Sequence, residues 1–253
     1  MSVPLIGNSF LAVACVMALT SLVGYGGALF GREQWLSLAR RAYLVFTIAT
    51  LATSFWLLKQ ILDHNFAIAY VHSYSSTDLP LGFLISTFWA GQVGSFLFWL
   101  TVLSILGLFL VQRHSERQPT ALFFYMLVNC FFLLLLVARS PFAASDPMAV
   151  ASVPEGMGLN PLLQNYWMVI HPPIVFTGFS LLAVPFSFAL AALARNDYRD
   201  WVKNVFPLSA LGTAVLAAGI FMGGYWAYET LGWGGYWAWD PVENTSLIPW
   251  IVN

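Results

Sequence analysis

Two groups of residues in this chain have types and spacings that could do chemistry. One is the run WGGYWAWDPVENTS, residues 233–246, which sets large aromatics and two carboxylates around a Gly-Gly pair. The other is His171, followed directly by Pro172 and Pro173. Asp240-Pro241-Val242-Glu243 has the pattern of a helix start. Asp is a good N-cap, Pro fits the first helical position, and Glu three residues on completes a capping box. Capping alone accounts for Asp240 and Glu243, and an interfacial aromatic belt accounts for a pair of tryptophans. Neither accounts for the density of Trp226, Trp233, Trp237, Trp239 and Trp250, expected at or just above one membrane surface. Gly232, Gly234 and Gly235 allow unusual backbone angles and close approach of a flat ligand. The expectation is an aromatic shelf suited to a planar, apolar molecule with an exposed charge. Haem has that shape: aromatics can stack on its macrocycle while its propionates face water.

Haem handling needs an axial ligand, and the chain offers four histidines. His114 stands among arginines and reads as a solvated loop residue. His64 and His72 share one loop and could be ligands, although surface histidines are common. Pro172 biases His171 to an extended conformation, with a helix starting at Pro173. The imidazole is then expected at the mouth of that helix, where the N-terminal dipole disfavours the imidazolium and leaves a ring nitrogen free for the haem iron.

The elements that must position these groups are membrane helices. The chain has 253 residues, 59% hydrophobic and 8% charged, whereas a soluble domain carries about a quarter charged residues. Apolar stretches long enough to span lie at roughly 5–30, 42–62, 95–111, 121–136, 173–193 and 207–225, given that a bilayer core needs about 20 residues of helix. The chain is therefore read as one all-α, multi-pass integral membrane domain over 1–253, with six spans and a partial helix from Asp240. The Trp-rich segment is 225–250. A signal peptide is not expected, because the residues before the first apolar run carry no Lys or Arg. Cys15 and Cys130 lie in apolar stretches without a C-x-x-C and suggest neither a disulfide framework nor a redox site.

Arg32, Arg40, Arg41, Arg113, Arg117, Arg195, Arg199 and Lys203 fall in the three short connections, while the opposite side holds Lys59 and Arg139. The positive-inside rule makes the short connections cytoplasmic. The long loops 63–94 and 139–171, both termini and the Trp-rich segment are then external, which is periplasmic in a bacterial inner membrane. Spans five and six are joined by a short turn, so their external ends should meet and bring His171 beside the shelf.

The segment LGWGGYWAWDPVENTSLIPW resembles the WWD signature of the haem-handling membrane proteins of cytochrome c maturation. Its WDPVEN continuation resembles the CcmF-type haem lyase subunit, including the nitrite-reductase-assembly relative. GLNPLLQNYWMVIHPPIVFTGF, residues 158–179, resembles the CcmF-type loop before an external histidine, and FWAGQVGSFLFW, residues 88–99, resembles a third stretch. There the family commonly has His-Glu where this chain has Gln92-Val93.

The resemblance implies a periplasmic step in which b-type haem in transit arrives on a haem chaperone and is attached to apocytochrome c. By resemblance His171 is an axial ligand of the haem iron. The shelf from Trp233 to Asp240, with Gly234, Gly235, Trp237 and Trp239, corresponds to the haem platform; Trp226 joins the haem-binding candidates from the aromatic cluster itself, and no catalytic acid or base is identified. The family's second external histidine and its two membrane histidines correspond to positions beyond Asn253. The expected partners are membrane lipid, other membrane subunits of a maturation complex, and a second chain if the gene is split; a truncated form is the alternative. No nucleic-acid partner is expected. Two further classes stay open: a haem exporter, disfavoured by the scarcity of polar groups at mid-membrane depth, and a structural assembly subunit.

Overall fold

The computed structural model describes residues 3–232 and 235–253. Six of its helices are long and apolar enough to cross a membrane. They are α1 (Val3–Leu29), α2 (Leu36–Leu62), α5 (Gln92–His114), α6 (Pro119–Ala138), α8 (Tyr166–Arg195) and α9 (Trp201–Thr230). Short helices α3 (Ala69–Tyr74), α4 (Leu81–Ala90) and α7 (Pro147–Ser152) order the two long loops, and α10 (Pro241–Val252) ends the chain. The protein is a multi-pass membrane protein with the all-α class and the six spans that composition predicts.

The spans run longer than the apolar runs, and two of the differences bear on the site. The fifth begins at Tyr166 rather than Pro173, because the Asn165 side chain accepts the Trp167 N–H at 2.8 Å and caps a helix there. Pro172 and Pro173 therefore sit inside α8, and His171 lies more than a turn from its start rather than extended at its mouth. At that depth the ring lies beyond the first turn, where the helix dipole acts on a charge. Membrane helices tolerate interior prolines where neighbouring helices support the backbone, and α9 packs closely on this stretch. The sixth span runs through Gly223-Gly224 to Thr230, so Trp226 belongs to a helix rather than to a surface shelf.

The glycines of α8 and α9 are sites of close approach. A Cβ at Gly178 would stand 2.7 Å from Leu216, and one at Gly219 would stand 2.7 Å from Val175. Only a bare backbone lets the two helices meet this closely, and small residues at membrane-helix contacts serve that purpose.

The three short turns gather at one end of the bundle. Arg40 pairs with Glu116 at 2.8 Å, and Arg195 donates to the Thr120 hydroxyl at 3.3 Å. His114 also lies here, half-buried with its ring edge-on to Phe188 at 5.4 Å, not solvated in a loop. At the opposite end the long loops are stitched together. An antiparallel bridge joins Ile68 and Ala144, the Met157 N–H donates to the His72 carbonyl at 2.8 Å, and buried His72 places Nε2 3.0 Å from the Val153 carbonyl. Tyr70 secures the corner between α4 and α5: its hydroxyl donates to the Thr87 carbonyl at 2.8 Å and accepts the Gly91 N–H at 3.1 Å.

Candidate functional site

The loop end of the bundle encloses a cavity of about 320 Å³, within the range of small-molecule sites. Its depth comes from α8, whose Met168, His171, Val175, Phe176 and Phe179 recur at helical spacing and share one face. The α4–α5 corner adds Trp89 and Ser95, and α9 adds Gly219, Gly223 and Trp226. Trp237 closes a side, and Asp240 and Glu243 supply carboxylates from the start of α10.

His171 is the centre of this arrangement. Both ring nitrogens are shielded and have no hydrogen-bond partner among the described residues. A buried polar group left unpaired costs about 1–3 kcal/mol, and an imidazole brings one at each ring nitrogen. The ring lies on Gly223, where a Cβ would stand 3.2 Å from Nδ1. Trp226 is nearly parallel to it, at 21° and 6.0 Å between centroids. The indole of Trp226 is fixed by donating Nε1–H to the Leu162 carbonyl at 3.1 Å. Nearby, Asn165 donates to Glu229 at 3.1 Å and ties the start of α8 to the end of α9. The indole N–H groups of Trp89 and Trp237 are also buried and unpartnered.

The turn before α10 is held by the capping box that the sequence predicts. Asp240 Oδ1 accepts the Glu243 N–H at 2.7 Å, and Glu243 Oε2 accepts the N–H groups of Asp240 at 3.2 Å and Ala238 at 2.8 Å. Asn244 donates to the Trp239 carbonyl at 2.9 Å. These bonds fix the backbone that carries Trp237 and Trp239. Trp239 takes φ 59°, a left-handed conformation uncommon for a bulky residue. Gly224 lets the chain at Tyr236 cross α9, since a Cβ there would meet the Tyr236 carbonyl at 2.8 Å.

The structure thus brings together four residues predicted from sequence: His171, Trp226, Trp237 and Asp240. Gly235 has φ 60° and lies outside the cavity, and Trp239 is 69% exposed with its ring perpendicular to Trp237. Trp233 and Gly234 fall outside the described residues. Trp250 is not at the surface with the others: it lies in the third turn of α10 and donates to the Thr213 carbonyl at 3.0 Å, well down α9. Neither His64 nor His72 lines the cavity. His64 is half-buried with φ 52°, and His72 is consumed in joining the loops. Trp89, Ser95 and the α8 face were not singled out by sequence, although FWAGQVGSFLFW contains the first two.

A flat macrocycle with a metal at its centre fits this donor set. His171 offers a ring nitrogen that no described residue engages, and histidine is a common axial ligand of haem iron. Trp89, Trp226 and Trp237 supply apolar aromatic wall around it.

Comparison with known proteins identifies the family of the chain. A family model described as cytochrome c assembly protein matches residues 89–253. The chain is 35% identical over 265 residues to the cytochrome c-type biogenesis protein CcmF of Pseudomonas aeruginosa, covering 99% of this chain and 39% of that one. It is 33% identical over 243 residues to a probable cytochrome c-type biogenesis protein NrfE of Escherichia coli, covering 92% of this chain and 43% of that one. A solved structure titled cytochrome c heme lyase CcmF superposes with a TM-score of 0.85 at 32% identity, covering all of this chain and 41% of that one. The chain spans about two fifths of the length of these relatives.

Proposed function

The chain belongs to the cytochrome c assembly protein family, and from that premise we propose that it serves cytochrome c maturation by holding haem for attachment to apocytochrome c. The observation that carries the reading is the pair of unpartnered ring nitrogens on His171, buried in a cavity walled by tryptophans. Haem supplies the vinyl groups that become thioethers, and the nucleophiles are the substrate's own cysteine thiols. The part played by this chain is positioning. His171 ligates the iron, Trp226 and Trp237 confine the ring, and the Asp240–Glu243 box holds the turn that bears Trp237.

The cavity lies at the end opposite the arginine-rich turns. By the positive-inside rule that end is periplasmic, in a bacterial inner membrane. Among the described residues His171 is the only histidine lining the cavity; a further ligand to the iron would be supplied by Met168 of the same cavity or by a partner, whether the apocytochrome, a haem chaperone or another membrane subunit of a maturation complex. The protein is in this reading a haem lyase component that works with partners.

The test is the absorbance spectrum of the purified protein titrated with haem, before and after His171→Ala. A histidine-ligated spectrum that disappears in the variant supports the reading. An unchanged spectrum refutes His171 as ligand, and no binding by either form leaves a structural assembly role in its place. Haem binding with accumulation of haem outside cells, independent of any apocytochrome, would favour an exporter.

A further inference from the structure

The arginine-rich end of the bundle carries a second site that haem handling does not use. A cavity of about 720 Å³ opens there between the α1–α2 turn, the α5–α6 turn and the end of α8. Arg117 and Arg195 line it, together with Glu116 and Thr120. A smaller cavity of about 370 Å³ adjoins it along the end of α1, between Val23, Gly26, Gly27 and Trp35. Phe30 lines both and is 85% exposed.

The polar cavity is cationic. Its one carboxylate, Glu116, is engaged by Arg40 at 2.8 Å. Arg117 and Arg195 have no carboxylate at ion-pair distance among the described side chains. One guanidinium nitrogen of Arg195 is held by the Thr120 hydroxyl at 3.3 Å, which leaves its other donors for an anion. Thr120 and Pro119 open α6, and Gln118 gives this helix start no side-chain cap. Its N–H groups add positive potential at the cavity. An arginine fork beside a helix start suits a phosphate.

A free phosphate would have no use for the adjoining apolar groove. The groove runs along the last turns of α1, where Val23 is 58% exposed, and Arg32 lies at its polar end. The positive-inside rule explains arginines on this side but not an enclosed cavity joined to a groove. The geometry points to a binding site for an anionic glycerophospholipid, its phosphate between Arg117 and Arg195 and an acyl chain along Val23, Gly26 and Phe30. Basic pockets between membrane helices on this side take such headgroups. Bound there, the lipid bridges α1, α6 and α8, and so couples the haem-bearing α8 to the rest of the bundle.

The test is native mass spectrometry of the protein released from lipid discs of phosphatidylcholine with a minority of phosphatidylglycerol. One phosphatidylglycerol should be retained per chain in preference to phosphatidylcholine. Arg117→Gln with Arg195→Gln should lower that retention roughly 10- to 30-fold. Arg41→Gln, an exposed arginine of the same side outside both cavities, should leave it unchanged. The pair Arg117→Lys and Arg195→Lys keeps the charge and should retain most of the lipid. It decides the matter if the Gln pair loses its helical circular dichroism. Equal retention of both lipids overturns the site. So does an equal loss in Arg41→Gln, or a folded Lys pair with no lipid preference. Displacement of the lipid by millimolar inorganic phosphate overturns the lipid assignment in favour of a free anion.

Discussion

Replacing His171 by Leu separates a ligand from a packing residue. Leu is of similar bulk but has no polar atom. In the haem-free protein the imidazole buries two nitrogens without partners among the described residues, and each such group costs about 1–3 kcal/mol. His171→Leu removes that cost. Against it stand the lost stacking on Trp226, whose centroid is 6.0 Å away, and an imperfect fit over Gly223. These are worth about 0.5–1.5 kcal/mol each. The balance runs from about 1 kcal/mol less stable to about 5 kcal/mol more stable, centred on a haem-free protein stabilised by about 2 kcal/mol, or several degrees in thermal midpoint at about 2–4 °C per kcal/mol for a chain of this size. Haem affinity should fall at least tenfold and the histidine-ligated spectrum should vanish. Thermal unfolding in detergent without haem, paired with an absorbance titration, reads both. A variant destabilised by more than about 2 kcal/mol that still binds haem normally would refute the reasoning, because the imidazole would then be a structural residue with satisfied nitrogens.

Gly223→Ala should keep its helix, since Ala is the better helix former by about 1 kcal/mol. Its Cβ would stand 3.2 Å from His171 Nδ1 and turn the ring; haem titration should show roughly a tenfold loss, equivalent to about 1.4 kcal/mol. Asp240→Ala should cost about 1 kcal/mol through the lost cap and weaken haem retention, with Asp240→Asn milder because Asn also caps. If Asn proves as damaging as Ala in the same titration, the charge itself matters and the capping account fails. His72→Ala should destabilise the protein by about 2–3 kcal/mol, because it empties a buried site and strips the Val153 carbonyl of its partner. Its haem spectrum should be intact; loss of the spectrum with an unshifted thermal midpoint would make His72 a ligand. Reporter fusions placed after Arg117 or Arg199 should behave as cytoplasmic, and periplasmic behaviour would invert the proposed topology.

The spans were legible because a bilayer leaves little choice. Every backbone polar group in hydrocarbon must be satisfied within the segment, so a long apolar run becomes a helix whatever its packing. The ends of those helices were less legible, because local signals there compete with tertiary contact. Pro172-Pro173 reads as a start, yet Asn165 caps α8 earlier and the packing of α9 carries the helix across both prolines. The sixth apolar run ends at 225, just past Gly223-Gly224, yet α9 continues to Thr230 and the bare glycines admit His171 and the Tyr236 carbonyl from the side. In each case the residue type was informative about space rather than about chain direction.

The same distinction explains which half of the site could be read. Asp240 and Glu243 bond to each other's backbone three residues apart, and so short a loop of cause and effect is written in the sequence. Met168, His171, Val175, Phe176 and Phe179 also share a helical face, but in a membrane helix every face is apolar. Periodicity cannot say which one looks onto a cavity and which onto lipid. His171 broke that degeneracy only as a type; what makes it the candidate ligand is that its two nitrogens are shielded beside Trp226 and Gly223 with no partner among the described residues. That condition is set by α9 and the Trp237 turn, more than fifty residues downstream. A buried imidazole without a partner destabilises a fold, and the packing here preserves it where neighbouring chain could have supplied an acceptor. The loops next to it show the contrast: His72, the more deeply buried of the two, is given the Val153 carbonyl. Of two enclosed histidines, one is spent on structure and one is left with its nitrogens open, and the open one is the histidine that faces a cavity.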